Sequence, residues 1–416
     1  MKHDDDARVP LLFLVSDTGG GHRSAALAVG QALELSFPGR FAPVIEDPLR
    51  RRDAPARLRW VTALYGPGIR LTPWLWGAIW HTSNTRLTFW LYERALFAPV
   101  YKMVDMAVAR HRPALIVSFH GMTSRPAVRA RKARLPLTPV VTVITDLIRP
   151  HAAWRYDGVD QIVVPSAAVQ ARCQLDGIAR ERLTNLGLPV RAEFGTRPSE
   201  LGSRAAMRHS LGLSGDRFLV VVLGGAEGSG DLVRRAAAII GRLADVEVVA
   251  LCGRNGIARR RLSSLAGKSE GRLVVKGFVD NMADWLHAAD VVVSKAGPGT
   301  IAEATCCGAP LILTSFVPGQ EHGNVEYVTR AGAGCYQPTV RGLVAKLDEL
   351  RQDPARLDTM RAASARLGRP AAALDIAALL AGLAGQETAV APPAAKRQRN
   401  RATSAGRVLS GRAGTR

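Results

Sequence analysis

Short apolar runs punctuate this chain at regular intervals. LLFLVSD (11–17), FAPVIED (41–47), ALIVSFH (114–120), PVVTVITD (139–146) and QIVVPS (161–166) are separated by stretches with helical spacing. Apolar runs bounded by turn residues predict strands buried on both faces, and their alternation with helices predicts parallel sheets. A helix is expected from about His22 to Leu35. The rhythm lapses over RAEFGTRPSELGS (191–203), which reads as a linker. It restarts with RFLVVVLGG (217–225), VEVVALCG (246–253), RLVVKGF (272–278), DVVVSK (290–295) and PLILTS (310–315), and two helices are expected to close the fold over 338–385.

The expectation is therefore an α/β protein of two doubly wound, Rossmann-like domains, at 8–190 and 204–386, joined by residues 191–203. Ligands of such sheets sit in the crevice outside the carboxyl ends of the strands. A chain of 416 residues suits two domains.

One segment departs from the alternation. Residues 59–104 carry five of the seven tryptophans, Trp74, Trp76 and Trp80 among them, interleaved with arginine. Trp and Tyr suit a membrane–water boundary, where ring and polar tip are both satisfied, and an Arg-flanked amphipathic helix lies in a bilayer surface rather than crossing it. A helical insertion packed on the first domain explains the same letters.

Charge narrows the partners. The formal net charge is +21, which suits nucleic acid, an anionic membrane face or phosphorylated substrates, or reflects solvated arginines. Residues 387–416 are expected to form a disordered basic tail, with seven Lys/Arg and no acid over Lys396–Arg416. No nucleic-acid module is recognisable. Five cysteines without CxxC spacing argue against a disulfide framework and a zinc site. The polar start MKHDDDARVP is no secretory signal, and no uninterrupted apolar run reaches membrane-spanning length, so a cytoplasmic location is expected.

Candidate chemistry gathers at the expected carboxyl edges. In SKAGPGTIAEA (294–304) a strand ends at Lys295 and a glycine turn leads into a helix. Helix N-termini bind phosphate, and Gly297 and Gly299 let the backbone approach its oxygens, with the Thr300 hydroxyl adding a hydrogen bond. Glu303 could bridge the two hydroxyls of a ribose. Equally, Thr300-x-x-Glu303 has the spacing of a capping box. In SDTGGGHRSA (16–25), Gly19, Gly20 and Gly21 precede His22, which is either a general base facing the cleft or a solvent-facing helix start. Asp146 ends a strand at the same edge, where it assists His22, accepts the proton itself or caps a turn. LGGAEGSGD (223–231), with Gly224 and Gly225, is another strand-to-helix turn. VPGQEHGNVEYV (317–328) gathers Gln320, Glu321, His322 and Asn324, a group suited to reading sugar hydroxyls or to starting a helix.

Together, SDTGGGHRSAA and GFVDNMADWLHAADVVVSKAGPGTIAEATCCGAPLILTSFVPGQEHGNVEYV (277–328) resemble the monogalactosyldiacylglycerol synthases and related processive diacylglycerol glycosyltransferases. More distantly, the chain is similar to the N-acetylglucosaminyltransferase acting on lipid-linked peptidoglycan precursor. The resemblance spans roughly residues 10–385 and implies a GT-B fold of two facing domains, with lipid acceptor on the first and UDP-sugar on the second. It implies that the 297–300 turn holds the diphosphate, Glu303 the ribose, Phe278 the uracil, and Gln320 and Glu321 the sugar. His22 becomes the base, with Asp146 its rival, and Lys295 meets leaving-group charge.

The implied reaction is a single displacement with inversion, moving a hexose from a UDP-sugar to diacylglycerol. No metal or other cofactor is expected. The implied setting is the inner face of the cell membrane, held by an anionic surface. The alternatives are transfer of N-acetylglucosamine to another lipid-linked acceptor, a UDP-sugar epimerase, or a non-catalytic nucleotide- or nucleic-acid-binding protein. Cys306 and Cys307 receive no role beyond packing.

Overall fold

The computed structural model describes residues 8–17, 21–51, 53–56, 58–60, 63, 68, 72–195, 203–224 and 231–388. Gly19, Gly20, Gly225, part of the expected linker and the basic tail lie outside the described residues.

The first domain runs β1 (Val9–Leu14), α1 (Gly21–Ser36), β2 (Phe41–Glu46), α2 (Pro73–Ser83), α3 (Arg86–Leu96), α4 (Ala98–His111), β3 (Leu115–Ser118), α5 (Gly121–Arg134), β4 (Val140–Val143), β5 (Gln161–Val164), α6 (Ala167–Leu175) and β6 (Leu183–Asn185). Its six parallel strands lie in the order β2-β1-β3-β4-β5-β6. The second domain runs α7 (Arg204–Ser210), β7 (Phe218–Leu223), α8 (Leu232–Arg242), β8 (Val246–Leu251), α9 (Gly256–Ala266), β9 (Leu273–Lys276), α10 (Met282–Ala288), β10 (Val291–Ser294), α11 (Pro298–Cys306), β11 (Leu311–Leu313), α12 (His322–Arg330) and β12 (Gly334–Tyr336). The helices α13 (Val340–Gln352), α14 (Pro354–Leu367) and α15 (Ala372–Thr388) follow. Its six strands are also parallel, in the order β12-β11-β10-β7-β8-β9. The expected pair of doubly wound sheets is what forms.

Strands β1, β3, β4, β7, β8 and β10 are buried almost throughout, as sheets covered by helices on both faces require. Strand order reverses between β1 and β3 in the first sheet and between β7 and β10 in the second. These are the switch points at which a crevice opens. Helix α1 is the next element after β1, and the glycine-containing turn before α11 follows β10.

Three features differ from expectation. Strands β6 and β12 were not anticipated, because these short edge strands, LTN and GCY, carry no unbroken apolar run. Three helices, not two, close the chain: Pro354 opens α14, and the extended backbone of Gly368 ends it ahead of Pro370. Helix α15 does not stay with the second domain. Its Ala373, Ile376, Ala377, Leu380, Ala381 and Ala384 pack with Ala25, Ala28, Val29 and Ala32 of α1, where small side chains let the two helices approach closely. Among the described residues, the stretch 354–385 alone is long and apolar enough to span a membrane by length and composition. It is interrupted at Gly368, and the α15 stripe is buried in this interface.

The aromatic segment folds as helices α2, α3 and α4. Trp74 is 71 % exposed and Leu87 68 %, with Leu75, Ile79, Trp90 and Leu91 also exposed. On α3, Leu87, Trp90 and Leu91 share one face by their i, i+3, i+4 spacing, while Phe89 and Glu93 point inward. Trp80 is only 8 % exposed. It does not join the open surface but packs against Gly319 of the second domain, whose φ is +82° and whose missing Cβ would lie 2.7 Å from the indole.

Candidate active site

His22 lies in the first turn of α1, directly after the turn that follows β1. Its Nδ1 is 2.8 Å from the Thr145 hydroxyl, and its ring stands edge-on to His120 at 4.7 Å and near Trp154 at 5.8 Å. Burial lowers its pKa to about 4, against a hydrogen bond to the Phe119 carbonyl and the charge of Asp17, which favour the cation. The imidazole is thus neutral at physiological pH, the form a general base requires. His120 caps α5, accepting from the Met122 N–H at 3.3 Å, and burial holds its pKa well below the usual value.

Asp146 does not touch His22. One carboxylate oxygen accepts from the Gln320 amide at 2.9 Å, and the other accepts from the Trp154 indole at 2.7 Å and the His151 N–H at 3.3 Å. Burial raises its pKa against these donors. Its partner Gln320 comes from the opposite domain, so the carboxylate joins the two halves of the molecule. Thr145, one residue earlier, is the group that reaches His22. No cue in the letters pointed to Thr145, because only the turn of the chain after β4 separates the two directions.

Across the cleft, α11 begins at Pro298 with Gly297 as its N-cap. Proline at the first helical position suits its fixed φ and absent N–H. The helix therefore starts two residues before Thr300, which becomes its third residue, and the Thr300–Glu303 capping box is not formed. Gly297 is buried in the turn, and a Cβ there would lie 3.1 Å from Lys295 Nζ; at Gly299 it would meet open space. The first N–H groups of α11 carry no side-chain cap. Glu303 has its pKa raised to about 7 by burial, opposed by Arg191 and reinforced by Glu193.

The other second-domain candidates divide into supports and open positions. Lys295 is ion-paired with Glu321, whose second oxygen accepts from the Val317 N–H at 2.8 Å. Asn324 is buried and donates to the Ala296 carbonyl at 2.9 Å. Glu321 and Asn324 thus hold the 295–297 turn in place. Phe278 is exposed beyond β9, with the Arg254 guanidinium 5.8 Å over its ring. Gly224 directly follows β7, which ends at Leu223. Of the aromatic candidates, Trp74 is solvent-facing and Trp76 half-buried. Cys307 donates to the Phe194 carbonyl at 3.6 Å, and burial raises the Cys306 thiol to about 11, consistent with packing. Among the described residues no group of three His, Cys, Asp or Glu side chains is placed to hold a metal ion.

Two parallel-sheet domains whose switch-point turns face one cleft define the GT-B architecture of glycosyltransferases and sugar-nucleotide epimerases. Solved structures of that kind overlay on most of the chain. MurG from Acinetobacter baumannii matches with a TM-score of 0.57 at 14% identity, covering 90% of this chain and 99% of that one. The UDP-GlcNAc 2-epimerase from Neisseria meningitidis, solved with UDP-GlcNAc, matches with a TM-score of 0.59 at 12% identity, covering 90% and 100%. At such identities the likeness shows the fold alone.

Sequence comparison goes further. Residues 22–190 match the family described as monogalactosyldiacylglycerol (MGDG) synthase, and residues 219–376 match the glycosyltransferase family 28 C-terminal domain. Monogalactosyldiacylglycerol synthase 3, chloroplastic, from Arabidopsis thaliana is 31% identical over 383 residues, covering 88% of this chain and 79% of the relative. Synthase 1 from the same plant is 31% identical over 377 residues, covering 88% and 69%. The chain belongs to the monogalactosyldiacylglycerol synthase family.

Proposed function

We propose that the protein is an inverting hexosyltransferase that moves galactose from UDP-galactose to diacylglycerol at a membrane surface. The observation that carries this reading is the opposition of a neutral His22 and the uncapped N-terminus of α11 at the two switch points, in a chain of this family.

The chemistry follows from the placement. The donor diphosphate lies on the N–H groups at the start of α11, where Gly297 and Gly299 permit close approach and the helix end favours negative charge. Glu303 accepts from the ribose hydroxyls, and Phe278 bounds the base. His22 takes the proton from the acceptor hydroxyl, whose oxygen attacks the anomeric carbon from the face opposite the leaving UDP. The carbon–oxygen bond to the diphosphate breaks as the new one forms, and configuration inverts. Charge on the departing diphosphate is met by the N–H groups at the start of α11; a preorganised donor in such a role is worth about 3–4 kcal/mol.

The exposed stripe Trp74, Leu75, Ile79, Leu87, Trp90 and Leu91 supports peripheral membrane docking. The basic composition supports an anionic surface, each cation contributing about 1 kcal/mol there. The test is incubation of the purified protein with labelled UDP-galactose, UDP-glucose or UDP-N-acetylglucosamine and diacylglycerol vesicles. A labelled galactolipid is expected. Consumption of donor without lipid product, as in an epimerase, refutes the reading.

A further inference from the structure

Arg235 is a buried cation that makes no ion pair among the described residues, with the Asp231 charge acting on it from one turn earlier. It sits in the first turn of α8 and is only 6 % exposed. One terminal nitrogen donates to the carbonyls of Thr314 and Pro338, at 3.2 and 3.4 Å. The other, Nη1, is buried without an acceptor. Among the described residues no carboxylate forms an ion pair with it. Asp231, one turn earlier, is engaged by Arg234 at 2.7 Å, and Lys295 nearby is paired with Glu321. Burial pulls the Arg235 pKa below its ordinary value. A buried charge lacking its partner is strongly unfavourable, so positions of this kind ordinarily carry a counter-ion.

The place where that charge points is specific. Arg235 lines a narrow recess with Leu223 at the end of β7, Asp231 just before α8, Lys295 after β10, and Thr314 and Ser315 after β11; the Asp231 carboxylate is the one held by Arg234. The recess lies at the β7/β10 switch point, on the same sheet edge as the start of α11, which begins three residues beyond Lys295.

We propose that Arg235 is the buried counter-charge for a nucleoside diphosphate, acting on the phosphoryl group next to the sugar. The inference rests on the donor site described above. In that site the α11 N-terminus offers N–H groups to one phosphoryl group, while Lys295 is already neutralised by Glu321. A guanidinium fixed by two backbone carbonyls cannot swing into the cleft. It acts from the floor, where weak screening lets a charge be felt across several ångström without direct contact. Arg235 is accordingly a positioning residue for the donor, and its action depends on the number of phosphates in the ligand.

That dependence gives the test. Binding of uridine, UMP and UDP is measured by calorimetry on the full chain, wild type against Arg235→Met and Arg235→Lys, with melting temperature as a control. Removing the charge is expected to weaken UDP about 10- to 100-fold, as loss of a charged interaction does, to weaken UMP less, and to leave uridine unchanged. Lysine is expected to restore part of the UDP affinity. Equal weakening of all three ligands, or unchanged UDP affinity in a folded Arg235→Met protein, overturns the proposal. If Arg235→Met does not fold, Arg235→Lys decides by the same ratio of UDP to uridine affinity. Failure of the wild-type protein to bind UDP refutes instead the donor site on which the inference stands.

Discussion

The Gln320 amide donates to the Asp146 carboxylate at 2.9 Å, joining a loop of the second domain to the end of β4 in the first. Gln320→Ala and Asp146→Ala each remove one side of a buried contact. Each should destabilise the fold by about 1–3 kcal/mol. The double variant should fall short of their sum, with a coupling of about 0.5–3 kcal/mol in a denaturant-based cycle. Strict additivity would show that the domains do not meet through this pair in solution.

His22→Ala should lower kcat/KM by about 10²- to 10⁴-fold, the usual contribution of a general base, while leaving UDP affinity near wild type. The pH profile carries a sign. With its pKa near 4, His22 is unprotonated through the neutral range, so its contribution to the rate should stay level down to about pH 5 and fall as pH drops through 4. A loss centred near 6.5 would contradict the buried, neutral histidine. Stability follows the same direction. The unfolded chain binds the proton more tightly, so the neutral form's contribution is complete above 6.5 and is lost as pH falls toward 4.

Glu303 gives the proposed donor site a pH dependence of its own. Its pKa near 7 leaves the carboxyl protonated below neutrality and ionised above it. An ionised carboxylate is the better acceptor for two ribose hydroxyls. UDP affinity is therefore expected to rise as pH increases through 7, and Glu303→Gln should be weaker and flat across that range. The same substitution should stabilise the ligand-free protein above pH 7, because it removes a buried charge. A pH-dependent affinity that persists in Glu303→Gln would assign the titration elsewhere.

The contact between Trp80 of α2 and Gly319 of the second domain is steric. In Gly319→Ala the new Cβ would press on the Trp80 indole, and φ would remain at +82°. A loss of about 1–3 kcal/mol is expected. Combined with Trp80→Ala, the clash disappears and only the backbone strain remains. Gly319→Ala should therefore cost less in that background, as thermal unfolding would reveal. An equal cost in both backgrounds would place the penalty in the backbone alone.

Much of this was legible from the letters, for reasons that differ from place to place. The strand runs and the glycine turns at 16–25 and 294–304 announced both sheets and both crevice edges, because parallel strands buried on both faces leave an unbroken apolar signature. The capping-box spacing at Thr300 misled, since Pro298 begins the helix earlier than Thr300 could. The Trp80–Gly319 and Gln320–Asp146 contacts were invisible: each joins residues far apart in the chain, and neither leaves a local period. Nothing in the letters around Arg235 marks it as buried. Its burial depends on strand order in the second sheet, which spacing alone does not encode.

The exposed face of α2 and α3 predicts a membrane phenotype separate from chemistry. Trp74→Ala with Leu87→Ala should reduce co-sedimentation with anionic vesicles. Turnover of a water-soluble, short-chain diglyceride should change little. Added salt should weaken vesicle binding of the wild type, as screening of surface charge requires. Unchanged vesicle binding in the double variant would remove this face from the membrane contact.

Inverting transfer of galactose to diacylglycerol with His22 as base dictates the stereochemistry of the product. Its most direct test is the anomeric configuration of the lipid made from UDP-galactose and diacylglycerol, read by proton NMR for wild type and His22→Ala. A β-galactosyl diacylglycerol is expected from the α-linked donor, with formation lost in the variant. An α-linked product, or a β-linked product formed at the wild-type rate by His22→Ala, would contradict it.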